Sequence, residues 1–396
     1  MTVRSVYLDY NATTPVHPEV VDAMLPFLRE RFGNPSSIHG FGQDAKQALE
    51  DSRKTVAAAL GARPDEIVFT SGATEADNIA VTGVASAQCK KGLHIITSKI
   101  EHHAVLAACE NLASIGFEIS EVPCDSGGMV DPGDIKRAIR NDTILITIMH
   151  VNNEIGTILP IEEIGEIARE RGVIFHTDAV QSIGKVPLDL KGMSVDLLSM
   201  SGHKIYGPKG VGLLYVKRGT ALKPLVFGGG HERNRRAGTE NLAGIVGLAK
   251  AVELVTRDIE GHNGRMSALR DKLEKGLASS VSHIQVNGDV SRRVSSTSNI
   301  SFEFVEGESL LLSLDMEGIA VSSGSACSSG SMDPSHVLLA MGVSPEIAQG
   351  SLRISLGRDT KDEDIDYVLE VLPRIVERMR SMSPLFKGGG ARAEGS

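Results

Sequence analysis

Apolar residues along this chain repeat with two periods, and the periods alternate. Helical spacing marks residues 18–31, where Val20, Val21, Met24 and Leu28 share one face and Gly33 lies just past the end. A second helix is predicted through Ala45, Leu49, Val56 and Leu60. Beyond it, short apolar runs that read as buried strands interleave with helical patterns. The strands are 67–70, 94–98, 117–122, 143–151, 173–177, 195–200 and 212–216, and the helices between them include 76–87, 104–115 and 161–171. This alternation predicts an α/β fold in which helices cover both faces of a mostly parallel, seven-stranded sheet. After about Gly261 the pattern changes. A helix at 265–278, strands at 298–304 and 352–356, and helices around 308–316 and 362–379 predict a smaller α+β unit. The expected division is 15–260 for the large unit, and 1–14 with 261–387 for the small one. Residues 388–396 are rich in Gly and Ala and are expected to be disordered.

Composition narrows the classes. With 396 residues, two units are the default expectation, and 41% hydrophobic with 23% charged residues is ordinary for a soluble protein. The net charge is -9 and no basic run could track a phosphate backbone, so nucleic acid is not expected as a partner. No apolar run approaches the roughly 18 residues of a membrane helix. Asp9 and Asn11 interrupt the start where a secretory signal would be apolar. The four cysteines, Cys89, Cys109, Cys124 and Cys327, form no C-x-x-C pair, which argues for a reducing cytoplasm and against a disulfide framework.

Polar clusters fall at the predicted C-terminal ends of five strands: residues 71–75, 101–103, 152–154, Asp178 with Gln181, and 201–204. In open α/β sheets ligands bind at that edge. The stretch Ser201-Gly202-His203-Lys204 places a lysine at a strand mouth, where it could form a Schiff base with an aldehyde cofactor such as pyridoxal phosphate. Lys209 competes for that role but lies further from the strand end. The Thr70–Glu75 turn, from strand to helix, suits a phosphate, although Ser71 or Thr74 could equally be an ordinary helix cap. Asp178 needs a partner if buried, and a protonated pyridine nitrogen would be one. A salt bridge is the plainer alternative, and a metal reading of His176 with Asp178 lacks a third ligand at useful spacing. His102 could lie on a cofactor ring and shuttle protons, or be a structural histidine. Arg353 alternates with apolar Leu352 and Ile354, so it either forks onto a carboxylate or sits exposed in a surface ion pair. Cys327 lies in Ser323-Gly324-Ser325-Ala326-Cys327-Ser328-Ser329-Gly330, a run of small residues suited to tether a thiol that travels.

Several stretches together resemble the cysteine desulfurases of the iron–sulfur-cluster and nitrogenase-associated class, within the class-V aminotransferase family. They are Tyr7-Leu8-Asp9-Tyr10-Asn11-Ala12-Thr13-Thr14-Pro15, the Thr70–Asn78 turn, His150-Val151-Asn152-Asn153-Glu154-Ile155-Gly156, the Ser201–Gly210 segment, Gly228-Gly229-Gly230-His231-Glu232 and Ser323–Cys327. The resemblance runs from about residue 6 to about 385. It implies a fold-type-I pyridoxal phosphate transferase that works as a homodimer on L-cysteine, giving L-alanine and a persulfide on Cys327. An iron–sulfur scaffold protein is then the sulfur acceptor, and Cys327 a transient [2Fe-2S] ligand. By the same resemblance Lys204 carries the cofactor and acts with Cys327 and His102 in catalysis. Ala73, Thr74, Ser201 and His203 surround the phosphate, Gly202 is a further cofactor-binding residue, and Thr239 reaches the phosphate from the second subunit. Asp178 meets the pyridine nitrogen, Gln181 the ring oxygen, His102 the ring face, and Asn153 both cofactor and substrate. Asn34 and Arg353 hold the substrate carboxylate. Two enzymes of the same fold stay open as alternatives: an aminotransferase, which has no need of Cys327, and a selenocysteine lyase, whose substrate fits the same pocket.

Overall fold

The computed structural model describes residues 4–323, 333–383 and 386. The first half of the chain runs β1 (Val6–Tyr7), α1 (Pro18–Arg29), α2 (Gly40–Ala59), β2 (Ile67–Thr70), α3 (Ala73–Gln88), β3 (His94–Ser98), α4 (His103–Ser114), β4 (Glu118–Val122), α5 (Pro132–Ala138), β5 (Thr143–Thr147), α6 (Ile161–Arg171) and β6 (Ile174–Asp178). It continues with β7 (Leu197–Ser201), β8 (Gly212–Val216), α7 (Leu242–Thr256), α8 (Ile259–Ser280), β9 (Ile284–Asn287), β10 (Thr297–Phe302), α9 (Gly307–Met316), β11 (Ile319–Ala320), α10 (His336–Ala340), α11 (Pro345–Gln349), β12 (Ser351–Ser355) and α12 (Asp362–Met382).

Strands β2 to β8 form one seven-stranded sheet in the order β2-β8-β7-β6-β5-β3-β4. All pairings are parallel except the two made by β8. The mostly parallel sheet predicted from alternation is thus the sheet observed. Side chains alternate across it as the pleat requires. Phe69, Ile96, Ile146, Phe175 and Leu198 enter one buried cluster, and Val68, Ile95, Leu145, Leu197 and Leu214 the other. A third cluster joins α8, α9 and α12 to the antiparallel strands β9, β10 and β12, and takes in Val6 and Leu8 of the N-terminal arm. The arm is fixed there by parallel pairing of β1 with β11 and by a bridge from Asp9 to Ser355.

One expectation needs correction, and one element is not among those predicted. The run 143–151 is not one strand: β5 ends at Thr147, and Val151 instead pairs with Ile158 across a tight turn. Helix α7 escapes a periodicity reading because it is apolar nearly all round. Leu242, Ala243, Ile245, Leu248, Ala249, Ala251 and Val252 are all buried. The helix packs so closely on α1 that a Cβ at Gly247 would lie 2.6 Å from Met24 Sδ.

Candidate active site

The parallel strands end at one edge, and a cavity of about 580 Å³ opens there. Lys204, just past β7 in a short helical turn, reaches into it. Its Nζ donates to the carbonyls of Asn11 (2.6 Å) and Ala12 (2.8 Å). Lys209 also lines the cavity, from an exposed position. Asp178, the last residue of β6, is buried and its Oδ1 accepts the Val180 N–H (2.9 Å). Burial pushes its carboxyl pKa up, against that hydrogen bond and the Lys204 charge. His102 caps α4, accepting the Ala104 N–H on Nδ1 (3.1 Å). Burial, helped by the Lys204 charge, lowers its imidazole to about 4, so the ring is neutral near pH 7. His102 is thus a helix cap, as the structural reading has it, and it also lines the cavity.

Ala73, Thr74, Asn153, Gln181, Ser201 and His203 line the same cavity. Helix α3 starts at Ala73 with no side-chain cap, so its first N–H groups lack the satisfaction a Ser or Asp would bring. The turn before it packs tightly on β8, where a Cβ at Gly212 would lie 2.7 Å from Gly72 Cα. Arg353 is 2% exposed and not a surface residue. It donates to Asp9 Oδ1 (3.0 Å) and to the Asn153 carbonyl (3.1 Å). His176 is no metal ligand here. Its two ring nitrogens face Thr147 Oγ1 (2.8 Å) and Ser199 Oγ (3.0 Å).

Three of the expected residues are described and do not line this wall. Asn34 is exposed and its Oδ1 accepts the Ser36 N–H (2.9 Å). Thr239 is exposed and does not line the cavity of its own chain. Gly202 is buried behind the wall, where a Cβ would lie 2.9 Å from the Pro208 carbonyl oxygen, so it shapes the turn and offers no surface to a ligand. Cys327, with the expectations placed on its segment and on 388–396, lies outside the described residues.

Sequence reasoning also missed residues. Asn11, Thr13, Asp77 and Met149 line the cavity. Asp77 had a legible signal: a carboxylate on the apolar face of α3 beside Ala76, Ile79 and Ala80, all buried. Burial and the neighbouring Asp178 raise its pKa well above the usual range. The segment 232–236 carries three arginines, of which Arg233 is exposed while Arg236 is tied down. Arg236 pairs with Glu75 (2.7 Å), whose Oε2 accepts the Ser71 N–H (2.7 Å). Buried Glu232 receives a two-pronged bond from Arg53 (2.8 and 2.9 Å) and the Phe69 N–H (3.0 Å). The segment with Thr239 is thereby tied to β2 and to the start of α3.

Known proteins resemble this chain in sequence and fold. The family described as aminotransferase class-V matches residues 6–368. The cysteine desulfurase IscS of Dictyoglomus turgidum is 55% identical over 381 residues, spanning 96% of this chain and 97% of that protein. Its counterpart in Methanosarcina thermophila is 56% identical over 382 residues, spanning 96% and 94%. Among solved structures, a NifS-like protein superposes with a TM-score of 0.90 at 40% identity, covering 95% of this chain and all of that one (100%). SspA in complex with cysteine superposes with a TM-score of 0.80 at 40% identity, covering 89% and 99%. Fold, strand-edge cavity and near-complete matches agree that the chain is a member of the class-V aminotransferase family.

Proposed function

We propose that this chain is a pyridoxal phosphate-dependent cysteine desulfurase, converting L-cysteine to L-alanine and leaving the sulfur as a persulfide on Cys327. The observation that carries the reading is the convergence of an amine, Lys204, a buried acid, Asp178, an imidazole, His102, and a buried guanidinium, Arg353, on one cavity. The names of the relatives support the same substrate.

The residues present fit the cofactor. A protonated pyridine nitrogen beside Asp178 would relieve the cost of a buried, poorly compensated carboxylate. The uncapped start of α3, with Ala73, Thr74, Ser201 and His203, suits a phosphate, and Gly202 shapes the turn that presents them. Thr239, exposed and outside the lining of its own cavity, would add its hydroxyl from a second subunit. His102 would cover the ring and Gln181 would meet the ring oxygen. When bound, pyridoxal phosphate supplies an aldehyde that captures amines and a ring that draws electrons from the adjacent carbon.

Lys204 is the amine that holds the cofactor, and then the base that takes the substrate Cα proton and returns it. Arg353 binds the substrate carboxylate through charge-assisted hydrogen bonds, with Asn153 and Asn34 completing the site. Neutral His102 can pass a proton at the sulfur side. Cys327, as a thiolate, attacks the substrate sulfur. The S–S bond forms as the C–S bond breaks, the electron pair stays on carbon, and protonation there yields alanine. The acceptor that next takes the sulfur is an iron–sulfur scaffold protein, with Cys327 a transient [2Fe-2S] ligand. The working unit is a cytoplasmic homodimer with residues 230–238 near its interface. Residues 15–260 serve as the cofactor-binding unit, and 1–14 with 261–387 as the unit that carries Cys327. Among the described residues no helix is long and apolar enough to cross a membrane.

The deciding experiment is mass spectrometry of Cys327 after cysteine is added, which should find one added sulfur. A Cys327→Ala variant that still makes alanine and sulfide at the parental rate would overturn the assignment.

A further inference from the structure

A second lysine stands beside Gln181 and Lys204. Lys185 lies in the turn after β6 and is partly buried. Its Nζ donates to Gln181 Oε1 (2.7 Å) and to Asn11 Oδ1 (3.0 Å). The turn is tied from behind, because the Lys185 carbonyl accepts from Asn263 Nδ2 (2.7 Å), whose Oδ1 accepts the Ser295 hydroxyl (2.8 Å). The lysine therefore stands behind Gln181 and Asn11 on a fixed stem.

An ammonium offers donors only, whereas an amide has a donor end and an acceptor end. Each amide that meets Lys185 must turn its oxygen toward it. Gln181 then sends Nε2 the other way, onto the Asn11 carbonyl (3.0 Å), the same oxygen that receives Lys204 Nζ. Asn11 sends Nδ2 to Thr297 Oγ1 (2.9 Å) and to the Asn153 carbonyl (3.2 Å). Turning Gln181 over would set its NH₂ against the ammonium and its oxygen against the Asn11 carbonyl, two repulsions in place of two bonds. Burial, with the Lys204 and Arg353 charges, brings the Lys185 ammonium down to about 7. The neutral amine still has two N–H groups for the same two oxygens.

We propose that Lys185 is a positioning residue that sets the donor sense of Gln181, so that an N–H, and not a carbonyl, is available to the ring oxygen of the bound cofactor. The inference rests on the functional reading above and adds to it a residue outside the cavity wall.

The test is the pH midpoint of the visible absorption of the pyridoxal phosphate-loaded protein. Lys185→Met should raise it by about one unit, because the ring oxygen loses a donor that favours its charged form. Lys185→Arg, also a donor only, should restore the parental midpoint. In a Gln181→Met background, Lys185→Met should add nothing further, as expected for two residues acting through one contact. A purely structural role would lower thermal stability and leave the midpoint in place. If Lys185→Met does not fold, Lys185→Gln, whose amide can offer either end, carries the same expectation. A midpoint equal to the parent's, or a shift that persists in full without Gln181, overturns the inference alone. A parent that gains no visible band with pyridoxal phosphate overturns the functional reading and the inference with it.

Discussion

The two walls of the cavity are built by different means. Asp178, Ser201, Lys204 and His102 sit at or just beyond the C-terminal ends of β6, β7 and β3, and the backbone ladder of the sheet sets where they stand. Asn11, on the N-terminal arm, and Arg353, on β12 of the small sheet, come from opposite ends of the chain, and their side chains tie the two ends together. The contact between Arg353 and Asp9 closes a separation of 344 residues. On the ladder wall the position of each group is set chiefly by backbone pairing, although Lys204 also bonds the Asn11 and Ala12 carbonyls. On the wall made by chain ends, binding and architecture share the same hydrogen bonds, since Arg353 both faces the cavity and holds Asp9 and Asn153 in place.

The largest expected effect is on the ladder wall. Lys204→Ala should lower alanine production by about 10²–10⁴-fold or more, the scale of a lost acid–base group, while the unfolding midpoint stays near the parental value. A matching loss of stability would show that Lys204 holds the wall together and would erase the contrast. A smaller loss is expected on the other wall. Arg353→Lys keeps the charge but loses the fork, and should lower kcat/KM for cysteine by about 10- to 100-fold, mainly through KM. Here stability should fall too, because the Asp9 and Asn153 contacts cannot both be kept. An unchanged KM would mean that Arg353 serves architecture alone.

The smallest effect sharpens the comparison beneath the ladder wall. Glu101 is buried, and burial raises its carboxyl to about 8 despite bonds from the Ser98 hydroxyl (2.5 Å) and the Met149 N–H (3.0 Å). A raised acid contributes stability that is full below its unfolded pKa near 4.5 and is lost as pH climbs through about 8. Between these values the loss should approach about 1.4 kcal/mol per pH unit at most, and Glu101→Gln should remove that slope. Denaturant unfolding of both proteins at pH 6 to 9 reads the difference, and parallel curves would refute it.

Legibility followed the same division. Strands 94–98 and 212–216 and helix 161–171 coincide with observed elements because their periodicity and end signals are local. Lys204, Asp178 and His102 were legible for a related reason: strand ends in a parallel sheet share one edge whatever the loops do. Helix α7 was not, since a helix buried on nearly all sides leaves no polar stripe to count. Nor was the pairing of Lys185 with Gln181 and Asn11, which depends on where the N-terminal arm lands.

By itself the sequence determined the layer order, the chemical edge of the large sheet and, through motifs spread over most of the chain, the enzyme family. Each of these depends on spacing within a few dozen residues, or on residue types that can be read in place. Tertiary structure alone decided that Arg353 is buried and not a surface pair, that Asn11 joins Lys204, Gln181, Lys185 and Asn153, and that Asn34 and Thr239 stand outside the cavity of their own chain. Those outcomes turn on which distant segments pack together. A buried polar group must take its hydrogen bonds from whatever the packing brings, and no local pattern encodes that partner.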